Sequence, residues 1–358
     1  MSQRVEQLIR GELVRDVGDG PSTGGRRPGL LELAPSVGVV LAADIGATHC
    51  ALALADLTGH IAADIGERID VATGPDSVLG WVAEGFQGLL REAGRDASDV
   101  RAVGIGVPAP VEFATGTVVQ PPIMPGWDGL VIPEWFAGHL DAPVVVDNDV
   151  NVMALGEYTG RGLHAGDLLF VKVSTGIGCG IISDGRLHRG ADGAAGDMGH
   201  VRVAEADDTP CTCGNTGCLE AVASGAAVAR RLAHDGLSAR TARDVVELAK
   251  AGEARAVRGV RVAGERIGEV VAALVSFYNP SMIVVGGALS ELRDDLLAGI
   301  RGVVYQRALP LATRRLTIET TRLGRRAGVL GASVLAAQHA LSPPAMAELL
   351  RAHGLGDS

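Results

Sequence analysis

The sequence predicts an α/β chain of two domains, each opening on a strand that turns straight back as a second strand. The 358 residues correspond to roughly two domains of ~150 residues. The apolar run Val39 to Asp44 turns at Gly46-Ala47-Thr48 and returns as Ala51 to Ala55. The second half repeats this with Leu168 to Val173, the turn Ser174-Thr175-Gly176-Ile177-Gly178, and Cys179 to Ile182. A strand that returns as a strand is not the strand–turn–helix opening of a dinucleotide fold. The matched placement suggests a duplicated unit, although the two hairpins share too little identity to prove a repeat.

Composition narrows the class. Hydrophobic residues make up 47% and charged residues 21%, and no apolar run reaches the ~18 residues of a spanning helix, so no membrane partner is expected. The net charge of −10 opposes a nucleic-acid-coating surface, with room for one local basic patch. Charges of both signs are mixed from Arg4 to Asp19, unlike a signal or transit peptide, which predicts the cytoplasm. Two lysines, Lys172 and Lys250, stand against thirty arginines, a bias of G+C-rich coding that is given no functional weight.

Taken in order, residues 1–35 stand apart. Val5, Leu8 and Ile9 have helical spacing, Gly11 stops the helix, Leu13-Val14 begins a strand, and a Gly/Ser/Arg loop leads to Leu30-Leu31-Glu32-Leu33. The loop tip Gly24-Gly25-Arg26-Arg27-Pro28 puts two guanidinium groups on a turn, suited to phosphate or minor-groove contacts; a solvated linker is the equal alternative. The first domain spans 36–147: the hairpin, a third strand near Ile61, a helix over Ser77 to Ala93, and strands at Ala102 to Val107 and Pro143 to Val146. The second spans 148–342: its hairpin, a helix from Ala254 to Tyr278, the strand Met282 to Val285 and a helix near Ala327 to His339, expected to pack back on the first domain. The tail 343–358, rich in small and polar residues, is expected to fray.

Four groups of residues carry chemistry. No Gly-x4-Gly-Lys-Ser/Thr run occurs, so a phosphate would have to be held by the hairpin turns, through backbone N–H groups and a Thr hydroxyl. Asp44, Gly46 and Thr48 form the first candidate, the carboxylate holding Mg²⁺ through water, and Thr175, Gly176 and Gly178 the second; an ordinary hairpin turn explains either motif better when taken alone, and their matching placement at the start of each half strengthens both. Asp147-Asn148-Asp149-Val150-Asn151 follows an apolar strand, where a carboxylate could take the proton of a sugar hydroxyl attacking a γ-phosphate, or simply cap a helix. His200, Cys211, Cys213 and Cys218 have the donor types for a closed tetrahedral Zn²⁺ site, with Gly214 and Gly217 for the sharp turns; four protein ligands make the metal structural. Cys50 and Cys179 lie in strand patterns and are read as core.

Asp44-Ile-Gly-Ala-Thr48, Asn148-Asp-Val-Asn151, Thr175-Gly-Ile-Gly178, Gly193-Ala-Ala-Gly-Asp-Met-Gly-His200, Cys211-Thr-Cys-Gly-Asn-Thr-Gly-Cys-Leu-Glu220 and Ile283-Val-Val-Gly-Gly287 occur in the order seen in the ROK family of repressors and sugar kinases. The chain resembles that family from about Val37 to Leu341. The resemblance implies duplicated RNase-H-like domains of the actin and hexokinase type with a sugar cleft between them. It implies Asp149 as catalytic base, Asn148, Asp197, His200 and Glu220 as holders of the sugar or sugar phosphate, and Gly286 and Gly287 as an adenosine turn. His200 would then serve zinc with one ring nitrogen and the sugar with the other.

The family's repressors carry a winged helix-turn-helix whose wing commonly reads Gly-Gly-Arg-Arg-Pro before a Leu-rich strand, as residues 24–33 do. Arg4, Arg26 and Arg27 are then DNA-contacting residues of a partial winged helix, operator DNA being a partner only of a complete N-terminal domain. A recognition helix needs two supporting helices, so Met1 is read as an internal start with about fifty residues upstream. Three departures weaken the kinase reading. Asp197 stands for the kinases' Glu, drawing a carboxylate back by ~1.5 Å. Ile123 stands for an Asn, costing a sugar hydroxyl its partner at ~1–3 kcal/mol. Ala47 adds a Cβ beside the phosphates. The expectation is a sugar-responsive transcriptional regulator, dimeric or tetrameric, with an ATP-dependent hexose kinase as the alternative.

Overall fold

The computed structural model describes residues 3–20, 29–163, 166–206 and 208–352. The helical spacing near the start becomes α1 (Gln3–Arg10), and β1 (Val14–Asp19) and β2 (Gly29–Leu33) pair antiparallel with Val14 opposite Leu33. Helix, strand and strand thus follow in the expected order, residues 21–28 between the strands lying outside the described residues. Arg26 and Arg27 lie outside the described residues, as does the side chain of Arg4.

A strand that is apolar on both faces must be covered on both, and every residue of β3 (Val39–Ile45) is buried. β4 (Cys50–Asp56) and β5 (Ile61–Glu67) follow antiparallel, and α2 (Pro75–Glu92) crosses to β6 (Val100–Val107), parallel to β3. A short hairpin of β7 (Val111–Glu112) and β8 (Thr117–Val118) and then α3 (Ile132–Phe136) lead to β9 (Val144–Asn148), parallel to β6. Asp147 and Asn148 therefore complete this strand, two residues beyond the expected end.

The chain continues through α4 (Asp149–Gly160) into β10 (Leu168–Val173), β11 (Ile177–Ser183) and β12 (Arg186–His188), all antiparallel neighbours. After α5 (Leu219–Ala223), α6 (Gly225–His234), α7 (Ala242–Lys250) and α8 (Ala254–Tyr278), β13 (Met282–Gly286) joins β10 in parallel. α9 (Arg293–Arg307) and α10 (Pro310–Thr313) lead to β14 (Thr317–Thr320), which extends the sheet beside β13. The two five-stranded sheets run β5-β4-β3-β6-β9 and β12-β11-β10-β13-β14. Their strand order and directions match, so the duplication expected from two turns exists in the topology. Ile177 and Gly178 belong to β11, not to the turn before it.

The chain ends with α11 (Arg326–Ala340) and α12 (Pro343–Ala352). α11 lies on β3, β4 and β6 of the first sheet, α4 lies on β10 and β11 of the second, and the two helices pack against each other. Glycine makes that approach possible: a Cβ on Gly156 would stand 2.0 Å from the Ala327 carbonyl oxygen, and one on Gly331 1.6 Å from that of Val152. On their other faces the first sheet is covered by the core containing Phe86, Trp127 and Phe136, and the second by residues of α5 to α9. The tail does not simply fray. Met346, Leu349 and Leu350, at helical spacing in α12, pack with Leu8, Leu13 and Leu33 around Val37, Ala336 and Ala340. Residues 353–358 lie outside the described residues. No helix among the described residues is long and apolar enough to cross a membrane.

Candidate functional site

Polar residues gather where β9 ends and α4 begins. Asn148 caps α4, its Oδ1 accepting from the Val150 N–H at 2.9 Å while its Nδ2 donates to the Ala109 carbonyl at 2.9 Å. That engages both ends of the amide in local structure. Asp147 is also committed: it accepts from Asn151 Nδ2 at 2.7 Å and from Arg189 Nε at 2.7 Å. Arg189 lies 3.7 Å over the Phe113 ring, a cation–π contact that steadies it. Asp149 differs. It is buried, its Oδ2 accepts from Lys172 Nζ, and Oδ1 has no hydrogen-bond partner among the described residues. Burial pushes its carboxyl above the ordinary carboxylate range, Asp44 adds to this, and Lys172 and His49 oppose it.

The two hairpin turns bring further predicted residues to this region. Asp44, buried near the end of β3, has His49 Nε2 3.8 Å from its Oδ2, and a Cβ on Gly328 of α11 would stand only 2.0 Å from that oxygen. Gly46 closes its turn with a hydrogen bond to the His49 carbonyl at 2.8 Å, and Thr48 is exposed. In the second turn Thr175 is exposed and Ser174 N–H donates to the Gly176 carbonyl at 2.9 Å. Glu220 reaches this turn from α5: its Oε2 accepts from the Ile177 N–H at 2.9 Å, where a Cβ on Gly176 would intrude to 2.4 Å. Packing alone accounts for Gly178 and Gly286, whose Cβ atoms would meet Val150 at 2.9 Å and Phe170 at 2.3 Å. Gly287 has φ +84° and abuts the Val173 backbone, so both conformation and space demand glycine there.

The Cys/His run folds into one cluster. The donor atoms of His200, Cys211, Cys213 and Cys218 all lie within 4.8 Å of one another, Cys211 Sγ being 3.6 Å from His200 Nδ1 and Cys213 Sγ 3.7 Å from Cys218 Sγ. Metal–sulfur bonds of ~2.3 Å in a tetrahedron set the donors roughly 3.8 Å apart, so the spacing fits one four-coordinate ion. Hydrogen bonds from the Asn215 backbone and the neighbouring thiols lower Cys213 to about 7, whereas burial and the same thiols push Cys218 up to about 12. The turns between the ligands use Gly214 and Gly217 at φ +89° and +78°. His200 turns Nδ1 to the sulfurs and Nε2 to Asp197 Oδ1, 3.9 Å away, Asp197 itself being exposed. Cys50 and Cys179 are buried in the cores, as expected.

The ROK family model matches residues 40–339. The chain belongs to the ROK family. It is 31% identical to the xylose repressor of Caldicellulosiruptor bescii, over 96% of this chain and 89% of that protein. The solved ROK family glucokinase from Streptomyces griseus, in complex with glucose and AMPPNP, is 30% identical with a TM-score of 0.70, over 84% of this chain and 100% of its own. A ROK family transcriptional regulator, a homolog of the E. coli MLC protein, shares the fold with a TM-score of 0.79 at 23% identity, over 97% of this chain and 89% of that one.

Within this ROK fold, three residues that sequence reasoning passed over reach the candidate site. His49 faces Asp44, Arg189 ties β9 to the second half, and Lys172 meets Asp149. Lys172 had a signal: it is a lone charge inside Leu168 to Val173, and one of two lysines beside thirty arginines.

Proposed function

We propose that this chain is a sugar-responsive transcriptional regulator whose two RNase-H-like halves, 36–147 and 148–342, hold a sugar between them. One observation carries the choice over a kinase. Matching 96% of the chain leaves about 14 residues out, fewer than the 39 that precede the family model, so the likeness to the xylose repressor extends into the N-terminal segment. The S. griseus glucokinase is matched end to end by 84% of this chain. In the proposed reading, α1 is the end of a recognition helix, β1 and β2 form the wing, and Arg4, Arg26 and Arg27 face operator DNA. Oligomerisation as a dimer or tetramer and a cytoplasmic setting belong to the same proposal.

Asp149 Oδ1, Asp197, the Nε2 of His200 and the free oxygen of Glu220 would hold sugar hydroxyls, with Asn148 positioning Asp149 from its cap. A structural Zn²⁺ on His200, Cys211, Cys213 and Cys218 would fix the His200 tautomer and the start of α5, where Glu220 sits. The relative's name makes aldopentoses such as xylose, beside hexoses and their phosphates, the compounds to screen. The kinase reading is favoured by the exposed Thr48 and Thr175, one in each hairpin turn, and by Asp44, which would cradle a nucleotide's phosphates and Mg²⁺. ATP would supply the phosphoryl group there.

A thermal-shift screen followed by a MgATP turnover assay separates the two. Stabilisation by a sugar that also changes affinity for operator DNA, without turnover, supports the regulator. Turnover abolished by Asp149→Asn supports the kinase.

A further inference from the structure

A lysine inside an apolar strand needs an answering charge, because an unpaired buried ion is strongly destabilising. Lys172 of β10 stands opposite Gly178 on one side and Gly286 on the other, two residues without side chains. Its ammonium reaches across to Asp149 Oδ2, the two side chains being 17% and 4% exposed. An ammonium is a compact point charge and a guanidinium a wide fork, so the two do not substitute freely at a single carboxylate oxygen. Lys172 is one of two lysines in a chain of thirty arginines.

We propose that Lys172 holds Asp149 as an ion-paired carboxylate, so that Asp149 accepts a hydrogen bond from a sugar hydroxyl without taking its proton. The inference rests on the sugar-binding reading above. In phosphoryl transfer the hydroxyl oxygen bonds to the γ-phosphorus, the bond to the β–γ bridging oxygen breaks with ADP leaving, and the hydroxyl proton passes to the base. An ammonium on the same carboxylate opposes that last gain. A charged acceptor, by contrast, makes the stronger hydrogen bond to a hydroxyl. Lys172 thereby sets the site to recognise a sugar and release it unchanged, as a sensor requires.

The other charged groups facing Asp149 are Asp44 from β3 and His49 from the turn beyond it. A His49→Gln background removes the imidazole's titration, and in it four proteins are compared: the background itself, Lys172→Met, Lys172→Arg, and Lys172→Met with Asp149→Asn. Without its cation, Asp149 is pushed further above its unfolded value, and stability present at low pH is lost as pH rises through the folded pKa. As pH rises above the unfolded value of about 4, the melting temperature of Lys172→Met should fall relative to the background, and that of the double variant should run parallel to it. Lys172→Arg keeps the charge but spreads it over a wider fork, so its profile falls between those of the background and Lys172→Met. Sugar binding by Lys172→Met should weaken about tenfold for each pH unit below its Asp149 pKa, the same fall setting in at lower pH in the background, which shows no MgATP turnover.

Parallel melting profiles for Lys172→Met and the background would overturn the inference, and so would turnover by the native chain that Asp149→Asn abolishes. The expected melting profiles with no sugar bound by any protein would overturn the sugar reading alone, leaving the hold of Lys172 on Asp149 supported.

Discussion

Glu157 shows how a fully buried carboxylate can be answered by donors on several sides. Its carboxylate accepts from Arg161 Nε at 2.8 Å, Thr321 Oγ1 at 2.7 Å and the Arg322 N–H at 2.8 Å. Arg161, itself buried, also reaches Glu319 Oε2 at 2.9 Å and the Thr320 carbonyl at 3.2 Å. The network ties α4 to the segment that feeds α11. Glu157→Gln removes the charge, leaving Arg161 with only the half-exposed Glu319 as counter-ion, and breaking a buried pair this way costs about 3–5 kcal/mol. Urea denaturation should show that loss in midpoint with an unchanged slope. Glu157 and Arg161 have the i, i+4 spacing of an ordinary surface pair. One-dimensional spacing could not tell that this one is interior. Asp149 was legible for the opposite reason, because a carboxylate just past an apolar strand in an α/β chain stands where sites form.

At the scale of elements, β10 and α8 run over the residues that periodicity assigned to them. Both are long, apolar on a regular period and bounded by clear turns. The tail was misjudged because its composition outweighed its pattern: Met346, Leu349 and Leu350 form a narrow stripe whose partners lie over 300 residues earlier in the chain, around Leu13. Close helix approach was equally illegible, since glycine reads as a breaker until a neighbour explains it. Gly331→Ala drives a Cβ into the Val152 carbonyl and should cost more than about 3 kcal/mol or prevent folding, overpacking against backbone having no cheap relief. Gly80→Ala in α2, with nothing within 4 Å of the added atom, should be neutral or stabilise by up to about 1 kcal/mol. Melting the two variants side by side tests the packing account, and equal effects would refute it.

The Cys/His loop is an element made by its cluster. Cys218 caps α5 and Glu220 lies in that helix's first turn. Chelation, or Cys213→Ser, should therefore loosen residues 197–220 and weaken sugar binding through both His200 and Glu220. Limited proteolysis reads the first effect and a binding titration the second. Unchanged binding by metal-free protein would break the link proposed through His200.

For the whole molecule, two sheets of one topology share a central pair of helices, and the last long helix crosses from the second sheet to cover the first. α11 spans roughly 22 Å, at 1.5 Å for each of its 15 residues. Gly328, in its first turn, lies against the Asp44 carboxylate. Ala336 and Ala340, near its far end, pack with Leu13 of the N-terminal segment and with α12. A rigid rod touching both places can carry a shift at the proposed sugar site beside Asp44 to α1, β1 and β2, provided the far end is packed tightly enough to follow it. Hydrogen exchange tests this. Saturating sugar should change amide protection in residues 3–19 and 343–352 as well as around the cleft. Leu13→Ala, which leaves a cavity worth about 2–5 kcal/mol under that segment, should confine the change to the cleft while the sugar binds as before. A response confined to the cleft in the native chain would mean that α11 transmits nothing, and that any effect of sugar on operator binding travels by another route.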